Sequence, residues 1–166
     1  MDVNTIAAIA ACAAALIALA AAVISICQAH FATRVQALLQ LESAWTSATM
    51  VATRQKAAAS LTKGEPSAEV DRTLDFLETV AGLFVKPHPL WRLRVIPDRW
   101  ARHTFYWAAA CYWSKSCDYI KTVRERTTEQ EAWEDLCILI PRWIEAEGGP
   151  PKLEDIEGFL TDESSA

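Results

Sequence analysis

The sequence predicts an all-α protein: an N-terminal transmembrane helix continuing into a stalk and an antiparallel bundle of about four helices. Three observations predict it. Residues 6–27 form an apolar run in which Ser25 is the one conventional polar residue. Beyond that run, apolar residues recur every three or four positions between breakers, the helical period. No stretch alternates with the period of two that a half-buried strand requires. The chain divides by composition into an anchor (1–27), a helical bundle (28–147) and an acidic tail (148–166), the last expected to be flexible or to form one short turn around Leu153–Leu160.

The run Ile6–Cys27 has 22 residues, which as a helix cover about 33 Å and match a hydrocarbon core of about 30 Å. A cleaved export signal fits less well, because residues 1–5 carry only Asp2 where such a signal has positive charge, and the apolar stretch is too long. Half of the run is Ala, so Ile6, Ile9, Leu16, Ile17, Leu19, Val23, Ile24 and Ile26 supply most of the drive for insertion. Lys and Arg are absent before the run and present after it, at Arg34, Arg54 and Lys56. The positive-inside rule then puts the N-terminus outside and the remainder in the cytoplasm. Ala at four-residue intervals, such as Ala7, Ala11 and Ala15, would let two such helices approach closely, so a homodimer or another membrane protein is a candidate partner.

Phe31, Val35, Leu38, Leu41, Trp45 and Ala48 continue the helical period, and no Gly or Pro intervenes before Gly64-Glu65-Pro66. One helix is therefore expected from the membrane to about Ser60. Helix two starts after Ser67, with Glu69 and Asp71 in its first turn and Val70, Leu74, Leu77, Val80 and Phe84 on one face. It ends near Val85, since Pro87 disfavours a helical Lys86. Lys86–Pro97 holds three prolines and reads as a loop. Helix three opens at Pro97 or Asp98 and continues to about Arg126. It has one face of Trp100, His103, Trp107, Cys111 and Ser114 and another of Phe105, Ala109, Tyr112 and Ile120, which suits a central helix with neighbours on two sides. Thr128 and Glu131 form a capping box for helix four, whose stripe of Trp133, Leu136, Cys137, Ile140, Trp143 and Ile144 keeps its phase across Pro141. A kink rather than a stop is expected there. Gly148-Gly149-Pro150-Pro151 ends that helix. Most of the seven Trp residues are expected in the core.

This order of parts resembles a bacterial domain-of-unknown-function family of single-pass, membrane-anchored helical proteins. The likeness rests on the anchor, the long helix ending around Leu41–Trp45, the segment RTLDFLETVAGLF (Arg72–Phe84), the aromatic segment RWARHTFYWAAACYW (Arg99–Trp113) and a final Trp-containing helix. The resemblance implies the architecture and supplies no activity.

Charge narrows the partners. Residues 28–147 carry 15 basic and 15 acidic side chains, and residues 148–166 carry one Lys against five acids. A balanced middle lacks the cationic surplus that nucleic acid requires. The five cysteines show no C-x-x-C and read as reduced structural thiols of a cytosolic domain. Among His30, His88, His103, Cys111, Cys117 and Cys137 no metal-ligand spacing occurs, although His103 and Cys111 could share a face. A nucleophile drawn from Cys111 or Cys117 with His103 and Asp118 would place every group on one helix, where they converge poorly on one substrate atom. Asp75 and Glu78 read as a solvated edge with a salt bridge to Arg72. No glycine-rich phosphate loop is present. No catalytic, cofactor-binding or metal residue is therefore expected.

The basic, Trp-bearing segment is the exception. Lys86, Arg92, Arg94, Arg99 and Arg102 surround one acid, Asp98, with Trp91 and Trp100 interleaved. Helix one would climb ~45–50 Å from the bilayer and helix two would return about 28 Å. A loop of Trp91, Arg92, Arg94, Arg99 and Arg102 would then face anionic lipid headgroups, unless the acidic tail neutralises it. The expected function is that of a bacterial inner-membrane, single-pass interaction or scaffold protein. The alternative is a membrane-tethered enzyme or small-ligand sensor using the aromatic face of helix three.

Overall fold

The structure, a computed structural model, describes residues 2–85, 98–126 and 131–166. Among these, six helices and no strand occur: α1 (Val3–Trp45), α2 (Ala48–Lys63), α3 (Ala68–Val85), α4 (Asp98–Arg126), α5 (Glu134–Ala146) and α6 (Leu153–Ser165). The chain is all-α, as its periodicity predicts. It forms two units, Met1–Ala37 and Leu38–Ala166, so the boundary falls ten residues beyond the one drawn from composition.

The first unit is the apolar part of α1. Leu16 and Ile17 are 67% and 71% exposed, and Leu19, Val23 and Ile24 are also open. It is long and apolar enough to cross a membrane.

The second unit is a bundle. The helix expected to reach Ser60 breaks at Thr46-Ser47 instead. Ser47 is extended (φ −64°, ψ 147°), and its hydroxyl accepts from the Met50 N–H at 3.3 Å while donating to the Ala44 carbonyl at 2.7 Å. One side chain thus ends α1 and caps α2, a device available to Ser without any Gly or Pro. The break lets Trp45 enter the core, where its ring lies 5.2 Å from Phe76 and 5.9 Å from Phe105. Gly64 ends α2 in the left-handed region (φ 73°), with its N–H on the Leu61 carbonyl.

α2 packs against α3 on one side and α6 on the other, and α5 lies against α3 and α4. The core is built from Ala57, Ala58 and Leu61 of α2, Val70, Leu74, Leu77 and Val80 of α3, Phe105, Ala109 and Tyr112 of α4, and Leu136, Leu139, Ile140 and Trp143 of α5. The stripes read from the sequence for α3 and α5 are the buried ones. α5 passes through Pro141 without stopping, and the proline ring is exposed.

Three further expectations change. The stretch expected to be flexible or to form one short turn around Leu153–Leu160 holds the longer, 13-residue helix α6, which buries Ile156 and Leu160. Helix four starts later than its capping box implies: residues 131–133 are a turn, α5 begins at Glu134, and Thr128 lies outside the described residues. The first aromatic face of α4 is only partly covered. Cys111 is buried where α6 crosses, but Trp100 and Trp107 are 47% and 44% exposed and His103 is open. Among the described tryptophans, Trp45, Trp133 and Trp143 are buried, Trp113 is half-buried, and Trp100 and Trp107 are not in the core.

Candidate functional site

Three of the four carboxylates of α3, Asp71, Asp75 and Glu78, each follow a buried apolar residue, Val70, Leu74 or Leu77, by one position. That offset sets them along the border of the buried stripe. Asp71 accepts from the Tyr119 hydroxyl of α4 at 2.6 Å. Asp75 accepts from the Trp133 indole N–H at 2.8 Å. Glu78 accepts the Asp135 and Leu136 backbone N–H groups at 3.1 and 2.7 Å. These two donors belong to the first turn of α5 and have no partner within their own helix. The expected solvated edge is therefore a ladder that fastens α4 and α5 to α3. No ion pair from Arg72 to Asp75 or Glu78 is recorded among the described residues.

Glu78 also accounts for the missing cap. Trp133, in the N-cap position, sits in the left-handed region (φ 54°) and makes no side-chain cap bond. A bulky residue there costs about 1–2 kcal/mol. Burial of its ring, the bond to Asp75 and a ring contact with Tyr119 at 6.1 Å offset that cost. Gly82 supports the same approach, since a Cβ there would meet Asp135 Oδ2 at 3.2 Å.

A second junction centres on Arg54 of α2. Its guanidinium lies 4.2 Å over the Trp45 ring and 3.2 Å from Glu163 of α6, and its backbone carbonyl accepts from the Tyr112 hydroxyl. One residue thereby joins the end of α1 to α2, α4 and α6. Acids of the tail are spent on this seam: Glu157 reaches Lys115 at 3.9 Å, beside the Arg54–Glu163 pair. Those two acids face α2 and α4.

Of the loop residues proposed to face lipid, Trp91, Arg92 and Arg94 lie outside the described residues. Arg99 is exposed on the first turn of α4. Arg102 is partly buried and pairs with the exposed Glu147 at 3.1 Å, so its charge is engaged at the surface of the bundle.

Among the residues considered for nucleophilic or metal chemistry, Cys111, His103 and Asp118 lie in different settings, and His88 lies outside the described residues. Cys111 is fully buried, and burial, with Asp155 adding to it, pushes its thiol from 9.0 up to about 12. His103 faces solvent, and Asp118 is exposed and sits 3.6 Å from Lys121. No group of three or more His, Cys, Asp and Glu poised for a metal occurs among the described residues. Cys117 is half-buried, and its thiol is raised by burial and then by the nearby Cys137.

An open cleft of about 500 Å³ lies where α6 crosses α4, with Trp107 and Phe159 on its walls and Glu154, Asp155, Asp162 and Glu163 around it. Trp107 comes from the α4 face singled out in the sequence, and Phe159 comes from α6. The acidic side of the cleft also comes from α6. Comparison with known protein families, with curated proteins and with solved structures finds no match.

Proposed function

We propose that this is a single-pass inner-membrane protein whose helical bundle, on the cytoplasmic side, serves as an interaction or scaffold module. The exposed apolar run of α1 carries the proposal. Leu16, Ile17, Leu19, Val23 and Ile24 all face outward on a helix long enough to span a bilayer, and that much apolar surface calls for lipid or a partner helix. The bundle, in contrast, closes its own core and uses Arg54, Arg102, Asp71, Asp75 and Glu78 in inter-helix bonds. The orientation rests on Arg34, Arg54 and Lys56 following the run, with no basic residue before it. Contact of the Trp91–Arg102 region with anionic lipid belongs to the same proposal, through Arg92, Arg94 and the exposed Arg99.

Expression with a reporter fused to the C-terminus tests both parts. The expected result is a membrane-pelleted protein that resists alkaline carbonate extraction and has a reporter active only on the cytoplasmic side. Release by carbonate, or a reporter active on the far side, would overturn the anchor or the orientation respectively.

The cleft beside Trp107 favours a second function, a small-ligand sensor. An aromatic wall with four acidic side chains nearby, one of them Glu163 paired with Arg54, suits an organic cation. Native mass spectrometry of the purified protein would show a co-purifying cation that Trp107→Ala abolishes.

A further inference from the structure

We propose that Cys117 and Cys137 form a modification site, a dithiol that a low-molecular-weight disulfide such as glutathione disulfide oxidises to a bridge between α4 and α5. The register of the two helices places them together. Arg102 of α4 meets Glu147, Tyr119 meets Trp133, and the Arg124 side chain reaches the Ala132 carbonyl at 2.8 Å. Ascending α4 therefore descends α5, so the helices run antiparallel. Position 117, just before Tyr119, falls opposite the turn of α5 that follows Trp133, where Cys137 lies. Both thiols are half-buried, as residues on a seam between packed helices are, and the Cys117 thiol senses Cys137 more strongly than Lys121 or Asp118. The other cysteines are placed differently: Cys111 is wholly buried, and Cys12 and Cys27 belong to α1 in the other unit.

The chemistry balances without a further reagent. One protein thiolate attacks the sulfur–sulfur bond of glutathione disulfide and expels glutathione thiolate. The second protein thiol loses its proton, attacks the mixed disulfide and expels the second glutathione. Two protein thiols have then given up two electrons and two protons, and one glutathione disulfide has become two glutathione molecules. Burial keeps Cys117 protonated above the ordinary thiol range, so the exchange quickens as pH rises through mildly alkaline values.

Full-length protein in detergent micelles, incubated with glutathione disulfide in mildly alkaline buffer, alkylated and digested without reduction, provides the test. The expected product is a peptide pair linked through Cys117 and Cys137. Its thermal midpoint should rise by several degrees, and dithiothreitol should reverse the rise. Cys117→Ser and Cys137→Ser should each yield, at most, a glutathione adduct on the remaining partner and no rise in midpoint. Far-UV circular dichroism checks that both variants keep the helical fold. Wild-type protein that ends with glutathione on either cysteine but no link, that links another pair, or that keeps both thiols would overturn the proposal.

Discussion

Glu78 shows how one carboxylate can do the work of a local cap from another helix. It satisfies two N–H groups of α5 that their own helix leaves open. Glu78→Ala should cost about 2 kcal/mol and Glu78→Gln about half that, because the amide oxygen still accepts one bond. Urea unfolding followed by circular dichroism of the helical signal measures both. Arg54→Ala removes a ring contact and a largely buried ion pair together, for a loss of about 2 kcal/mol in the same assay. Tyr119 makes a pH prediction. Burial, and then its bond to Asp71, raise its phenol from 10.0 to about 12. Cys111 is raised from 9.0 to about 12. In each case the unfolded chain loses its proton first as pH rises. The stability that these two neutral groups contribute is whole below pH 9 and drains away between about 9 and 12. Unfolding midpoints in urea should fall over that window, and Tyr119→Phe should flatten the upper part of the fall.

At the level of elements, the α1–α2 break and α6 matter most. Ser47→Ala should cost about 1 kcal/mol by removing the cap of α2. Leu160→Ala opens a cavity where α6 meets the bundle and should cost about 3 kcal/mol, measured as a shift in the urea midpoint. The helices with a single clear stripe, α3 and α5, were legible in residue spacing, because burial on one side leaves an unambiguous pattern. The break at Ser47 was not, since a serine hydroxyl bridging two helices has no composition signal like that of Gly or Pro. α6 was hidden by its charge: five acids dominate the segment, while Ile156, Phe159 and Leu160 supply a short apolar face at spacings of three and four. The ladder of Asp71, Asp75 and Glu78 was visible in principle, as acids at steps of four and three trailing the stripe by one residue. Spacing alone does not say that neutral donors on other helices await them.

For the whole molecule, the contrast between its two units sets the predictions. The bundle buries most of its large apolar side chains, Trp100 and Trp107 excepted among its described tryptophans, whereas the α1 run exposes them. A charge at the centre of that run should abolish stable anchoring: Ile17→Arg costs about 3 kcal/mol at mid-bilayer on an Ala-rich helix with little surplus. The variant should shift from the carbonate-resistant pellet to the supernatant or to aggregates, while Ile17→Leu should not. The charges of the bundle carry a related lesson. The middle segment is neutral by count, but pairing couples it to the tail: Glu147 holds Arg102 within the segment, and Glu163 of the tail holds Arg54. The charges left outside are fewer than the count suggests, and Arg99 is among them.

The seam between α2 and α6 joins residues 48–63 to residues 153–165. Chains are synthesised from the N-terminus at about 5–20 residues per second. α1 and α2 therefore leave the ribosome several seconds before α6 exists. During that interval the face of α2 that α6 will cover stays open. Under the anchoring proposed for α1, delivery to the bilayer would precede completion of the bundle.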